Sequence, residues 1–264
     1  MPRQKGIIRI VGNLSGYNFY EKDGRGFVKE ESSVDKERIK TDPQYRRMRE
    51  NMQEFGGSAK VGKSLRMGLA SLLHQFKGRN TSARITALMR TIVGRGLGVR
   101  GQRDIVIEPN RDLLEGFNFV ATDPFSSAFN APYAISASVG RDSVTWFIPD
   151  FHTTDYLRVP QGATHFRLIL AVTVLSDFTY NHFTGKYEPA APALNEQNQR
   201  MESPILPVGG MVGFDTSITA AVGTGPLPPE AALVACIGVE FYQEVNSTPY
   251  LLASGNALMI KAVY

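Results

Sequence analysis

Residues 164–175 read Thr-His-Phe-Arg-Leu-Ile-Leu-Ala-Val-Thr-Val-Leu, and from Leu168 onward apolar side chains fill both phases of a two-residue alternation. Successive side chains of a strand point to opposite faces, so this run is apolar on both faces and belongs at the centre of a sheet. A membrane-spanning helix needs about 20 apolar residues, and neither 168–175 nor the second long apolar run, 231–237, approaches that length.

Shorter β-prone runs surround the central one, at 117–121, 133–139, 144–148, 212–221, 233–243, 250–253 and 257–263, each broken off by Pro, Gly, Asn or Asp. Many short strands at this spacing with little helical pattern predict an antiparallel β-sandwich, immunoglobulin-like or jelly-roll, over residues 105–264. Within it, residues 187–210 carry Pro189, Pro192, Pro204 and Pro207 without periodicity and read as an irregular arm. The single cysteine, Cys236, lies in Ala-Ala-Leu-Val-Ala-Cys-Ile-Gly-Val and reads as a small buried hydrophobe, with no partner for an internal disulfide.

The first 104 residues have a different texture. Runs at 6–11, 17–21 and 26–29, the last two separated by a stretch containing Asp23-Gly24, predict a small β-meander. Asp42 followed by Pro43 is a helix start, and Tyr45, Met48, Met52 and Phe55 follow at helical spacing until Gly56-Gly57, where the pattern predicts a stop. A second helix is expected over 58–76, with Val61, Leu65, Leu69, Leu72, Leu73 and Phe76 on one face. A third is expected over about 82–93, striped by Ile85, Leu88, Met89, Ile92 and Val93. Gly94, Gly96, Gly98 and Gly101, interleaved with Arg95, Arg100 and Arg103, read as a flexible connector. The expected class is α+β: a basic β-hairpin and three-helix domain at 1–104, then an acidic sandwich at 105–264.

Charge divides along nearly the same line. Residues 1–103 hold 22 Lys/Arg against 9 Asp/Glu, a net +13, and residues 104–264 hold 7 against 16, a net −9, which together give the +4 of the whole chain. Such asymmetry points to nucleic acid, a charged surface or a partner of opposite charge. Here both signs are present in one chain, so a basic face on one copy can meet an acidic face on the next, head to tail. The basic residues that carry this expectation are Arg46, Arg47, Arg49, Lys60, Lys63, Arg66, Lys77, Arg79, Arg84, Arg90, Arg95, Arg100 and Arg103. Three readings compete for them: solvated helix faces, neutralisation of phosphates with stacking on Tyr17, Phe19 or Tyr20, and pairing with the acidic half of a neighbour.

The sharpest motif is Gly57-Ser58-Ala59-Lys60-Val61-Gly62-Lys63-Ser64, which fits the phosphate-loop pattern of nucleotide hydrolases. That loop works where a buried strand delivers it to a helix N-terminus. The residues before it, Arg46-Arg47-Met48-Arg49-Glu50-Asn51-Met52-Gln53-Glu54-Phe55, are charged and helical in pattern, and no apolar strand ending in Asp follows to hold magnesium. A nucleotide hydrolase using Lys63 and Ser64 is therefore disfavoured against a helix-turn-helix joint. The four histidines, His74, His152, His165 and His182, lack ligand spacing, no Gly-x-Ser-x-Gly elbow occurs, and no cofactor or metal is expected. Residues 1–13 lack a signal-peptide apolar stretch, so the expected location is the cytoplasm, or an assembled particle or filament.

One resemblance spans nearly the whole chain. Lys5-Gly6-Ile7-Ile8, Phe19-Tyr20, Asp42-Pro43, Arg49-Glu50-Asn51, Glu54-Phe55-Gly56, Gly101-Gln102-Arg103, Gly162-Ala163-Thr164-His165-Phe166-Arg167-Leu168, Gly238-Val239-Glu240-Phe241-Tyr242-Gln243-Glu244-Val245 and Gly255-Asn256-Ala257 resemble a family of bacterial proteins with a basic helical N-terminal region and a β-rich C-terminal region. That family has no established activity, and the resemblance implies no catalytic residue. The leading expectation is a non-enzymatic structural subunit that self-assembles into a filament, tube or shell. The second is a capsid-like protein whose basic part faces nucleic acid without sequence specificity, and in neither is a membrane spanned.

Overall fold

The computed structural model describes residues 3–4, 10–31, 36–76, 78–213 and 216–264. The chain separates into two compact units, Met1–Arg49 and Glu50–Tyr264.

In the first unit, β1 (Gly12–Leu14), β2 (Tyr17–Lys22) and β3 (Arg25–Glu30) form an antiparallel meander in that order. Both turns place two residues at positive φ, Ser15-Gly16 and Asp23-Gly24, the backbone twist that a tight hairpin needs and that glycine and aspartate tolerate. The first strand expected from sequence, 6–11, falls largely outside the described residues. Tyr20 and Phe27 stack at 5.6 Å across β2 and β3. Helix α1 (Lys36–Thr41) leads to Asp42, whose carboxylate accepts from Gln44 N at 2.9 Å and so caps the 3-10 turn Pro43–Tyr45. Arg49 closes the unit, donating to the carbonyls of Ile39 at 2.7 Å and Asp42 at 2.8 Å.

Helix α2 (Arg46–Gly68) runs without interruption through Gly56-Gly57, where the sequence predicts a stop. Its glycines are packing residues: a Cβ on Gly57 would sit 2.6 Å from the Tyr187 ring, one on Gly62 would sit 3.0 Å from Ile85, and one on Gly68 would collide with Thr173. The face they open, with Val61 and Leu65, is buried, whereas Met48, Met52 and Phe55 stay exposed. Short α3 (Ala70–Leu73), α4 (Thr81–Arg95), α5 (Arg111–Leu114) and α6 (Phe125–Ala128) follow.

Strands then succeed one another: β4 (Ala134–Ala137), β5 (Ser143–Ile148), β6 (Phe151–His152), the helical turn α7 (Thr153–Tyr156), β7 (His165–Ser176), β8 (Phe178–Asn181), β9 (Lys186–Pro189), β10 (Asn198–Glu202), β11 (Leu206–Pro207), β12 (Met211–Val212), β13 (Thr216–Ala221), β14 (Ala231–Val245), β15 (Thr248–Leu251) and β16 (Ala257–Val263). The main sheet is antiparallel, with β7 and β14 at its centre, β10 and β11 beyond β7, and β15 and β16 beyond β14. A second sheet, β13-β5-β4, and the pairs β8-β9 and β12-β6 complete the strands. The expected central strand at 164–175 is thus β7.

Alternation along β7 divides its side chains between two cores. Leu168, Leu170, Val172 and Val174 join Val144, Trp146, Ile148 and Ile218 of the second sheet, the sandwich expected from sequence. Ile169, Ala171 and Leu175 join Val61, Leu65, Leu72, Phe76, Ile85, Met89 and Ile92 of the helices. Three layers result: helices, main sheet, small sheet. The helices therefore share a core with the sheet, and the compact unit begins at Glu50, whereas the sequence reading divides the chain at 104/105. Residues 187–210 likewise contribute β10 and β11 to the main sheet, so the expected loose arm is an ordered sheet edge.

Replacing Gly57→Ala should lower stability by about 1–2 kcal/mol despite alanine's better helix propensity, because the rigid Tyr187 ring must move. Urea denaturation with an unchanged m-value would show it.

Candidate functional site

Two of the basic residues singled out by sequence, Arg90 and Arg103, meet on a carboxylate that sequence reasoning passed over. Glu54 is fully buried on α2 and accepts from Gly101 N at 2.8 Å, from Arg103 Nε at 2.7 Å and Nη2 at 2.9 Å, and from Arg90 Nη1. Burial pushes its carboxyl up, but the bonds from Arg103, Arg90 and Gly101 outweigh that and hold it at about 2. Arg103 also donates to the Gly94 carbonyl at 2.9 Å, and Tyr187 donates its hydroxyl to the Gly101 carbonyl at 3.3 Å. The glycine-rich connector is thereby clamped to α2. One turn earlier, Glu50 lies 3.8 Å from Arg100, which donates to Asn51 at 3.0 Å. Glu50 and Glu54 are the only acidic residues between positions 50 and 103, against ten basic ones, and that isolation was the available signal.

The other basic residues are mostly committed as well. Arg95 bonds both carboxylate oxygens of Asp112 at 3.0 Å, Arg84 lies 4.6 Å over the Phe117 ring, and Lys60 donates to the Tyr187 carbonyl at 2.6 Å. Arg66 buries its Nε with no hydrogen-bond partner among the described residues. Arg46 and Arg47 are exposed on the first turn of α2, while Lys63 and Arg79 reach solvent with no partner among the described residues. Lys77 lies outside the described residues. Among the described residues of the second unit, the basic positions therefore do not form one basic face.

The phosphate-loop match at 57–64 lies in mid-helix, so its backbone N–H groups are spent on helical bonds and no loop exists to cradle a phosphate. Ser64 donates to Glu196 at 2.9 Å. No group of three His, Cys, Asp or Glu residues among the described residues is placed to hold a metal. One arrangement has nucleophile-base-acid order: Thr164 Oγ1 lies 2.9 Å from His165 Nδ1, and His165 Nε2 lies 3.3 Å from Glu244. Its hydroxyl already accepts from Glu244 N at 2.8 Å and Thr164 is exposed, so the group ties a strand end together without an enclosed site.

Two further carboxylates are shielded from water, Asp177 half-buried and Glu240 fully buried. Asp177 is pushed up to about 6 by burial, and nearby Glu230, Asp104 and Glu108 add to the effect, although its carboxylate accepts from Ile107 N at 2.7 Å. Burial also raises Glu240, which accepts from the Tyr242 hydroxyl at 2.7 Å with Arg200 at 3.7 Å. The groove nearest the clamp has a volume of about 450 Å³ and lies between α2 and the β8–β9 hairpin.

No protein-family model and no curated protein matches this chain, so a role must be argued from its own residues.

Glu54→Gln should cost about 2–4 kcal/mol at neutral pH, with faster amide exchange across 96–103, because two guanidinium groups lose their shared anion. The folded carboxyl lies below its ordinary 4.5, so this stabilisation is present above that pH and lost as pH falls toward about 2, where variant and wild type converge. Asp177 has the opposite sign. Its folded carboxyl lies above 3.8, so stability declines as pH rises toward about 6. Asp177→Asn, which keeps an acceptor for Ile107, should stabilise by on the order of 1 kcal/mol near neutral pH and lose that gain below about pH 4.

Proposed function

We propose that this chain is a non-enzymatic structural subunit that assembles with copies of itself, and that its first unit completes its burial on a neighbouring copy. The observation that carries this reading is the poverty of that unit's interior. Among the described residues of positions 3–49 only Gly26 is buried, while Ile10, Val11, Leu14 and Tyr17 stay exposed, Val11 by 69%. At 49 residues the unit lies close to the size of about 40 residues below which a metal, disulfides or association are usually needed, and it buries almost no apolar side chain among its described residues. The one cysteine lies elsewhere and is buried, and no group of three His, Cys, Asp or Glu among the described residues is placed to hold a metal, which favours association.

The charge of the units agrees with this. Positions 1–49 hold 12 Lys/Arg against 7 Asp/Glu, and positions 50–264 hold 17 against 18, so a positive unit is joined to a nearly neutral one. The reading in which the basic set faces nucleic acid loses much of its support, because Arg84, Arg90, Arg95, Arg100 and Arg103 are engaged within the chain. The nucleotide-hydrolase reading loses its loop.

Sedimentation and negative-stain imaging of the full-length protein across a concentration and salt series should show concentration-dependent assembly. The double variant Val11→Asp, Leu14→Asp should weaken assembly severalfold and leave the main melting transition in place, since both side chains are exposed. A wild-type protein monomeric at every concentration and salt sinks the reading.

A further inference from the structure

The outer face of α2 in the second unit carries an apolar surface that the chain itself does not cover. Met52 is 57% exposed and Phe55 60%, and Gly56 lies beside them. Glycine in an exposed helix interior is less favourable than alanine by about 1 kcal/mol. Gly57, Gly62 and Gly68 each have a reason inside the chain, whereas a Cβ on Gly56 would meet no atom within 4 Å. That open space leaves the helix backbone accessible to an external approach. Gly56 also lines the groove of about 450 Å³, with Met52, Gln53, Lys60, Tyr180 and Lys186. Phe183, at the tip of the β8–β9 hairpin, is wholly exposed. Lys60, Lys63 and Lys186 are also exposed here, which makes the surface basic around an apolar centre.

A surface of complementary chemistry exists on the same unit. Strand β12 pairs with β6, placing Met211 opposite His152, and Thr153 N bonds the Gly210 carbonyl at 3.0 Å, so α7 packs at the same corner. Met211 and Tyr156 are exposed there, next to Asp155 and close to Asp150. This corner carries two aspartates around an apolar centre, against one exposed cation, Arg158, two residues beyond Tyr156. We propose that the Met52–Phe55–Gly56 face of α2 receives the Tyr156–Met211 corner of a second copy. The inference rests on the self-assembly reading and assigns to it a contact distinct from the first unit. The two surfaces differ, so the contact is heterologous and propagates from copy to copy unless its rotation closes a ring. Charge complementarity makes it sensitive to salt.

The test uses the full-length chain and its variants. Phe55→Glu should weaken association by at least tenfold. Gly56→Ala should raise Tm by about 2–4 °C through helix propensity and yet weaken association severalfold, a split that loss of folding does not produce. Phe55→Cys mixed with Tyr156→Cys should form an intermolecular disulfide in the mixture and in neither variant alone, because the native Cys236 is buried. Wild-type-like association of both Phe55→Glu and Gly56→Ala overturns this contact and leaves self-assembly standing. Absence of the mixed disulfide overturns the assigned partner corner. Nucleic acid that co-purifies with wild type, is released by salt and is absent from Phe55→Glu also overturns it. A wild-type monomer at all concentrations overturns both this inference and the reading beneath it.

Discussion

Twelve residue pairs join β7 to β14 along nearly their full lengths, and on both strands successive side chains enter different cores. The antiparallel ladder satisfies the backbone donors and acceptors, so these strands can be buried on both faces without an unmet hydrogen bond. Burial at about 25 cal/mol per Å² of apolar surface then rewards a cover on each side. The small sheet β13-β5-β4 supplies one and the helices α2 to α4 supply the other. Neither cover is optional, because removing either would expose a continuous row of Val, Leu, Ile and Ala. The helices are thus the outer layer of the sheet, and the compact unit contains them for that reason.

Covering a sheet with helices creates a local difficulty that Glu54 resolves. The connector at 96–103 must return from the end of α4 to Ile105, which pairs with Phe178 through bonds of 2.9 and 3.0 Å. Its glycines let it turn but give it no apolar side chain to bury, and Leu97 and Val99 point to solvent. A buried carboxylate that binds Gly101 N, Arg103 and Arg90 together ties connector, α2 and α4 at one point. The guanidinium groups remain partly solvated, which lowers the cost of burying the opposite charge. Two of the cations that looked available in one dimension, Arg90 and Arg103, are consumed by this closure.

The fold was legible where a single local rule decides it. The two-sided apolar run at 164–175 announced β7, Asp42-Pro43 announced a capped turn entering a helix, and the stripes of 61–76 and 82–93 announced α2 and α4. Legibility failed where tertiary contact overrides a local rule. Gly56-Gly57 reads as a helix stop, yet α2 continues because Gly57 lets the Tyr187 ring lie against the helix. The prolines of 187–210 read as irregular, yet Pro189 ends β9, Pro207 ends β11 and Pro204 lies between β10 and β11, at strand ends and edges where a missing N–H is tolerated. The basic set was read from sign alone, which carries no information about the partner; only geometry shows Arg95 on Asp112 and Arg84 over Phe117.

The two units differ in what holds them folded, and the proposed assembly depends on that difference. The second carries its own cores and is stable by burial. In the first, the meander has its ladder and well-matched turns, but fixing each residue's backbone costs about 1–2 kcal/mol, and a ladder exchanged against water returns only part of it. On the self-assembly reading the remainder comes from burying Ile10, Val11, Leu14 and Tyr17 on a neighbouring copy. Ordering of that unit and association are then one equilibrium, so part of the contact energy is used in ordering and the net affinity per unit area is low. Low affinity at each contact, repeated along a heterologous array, lets misplaced copies dissociate before the array extends, which is the condition a growing structural assembly has to meet.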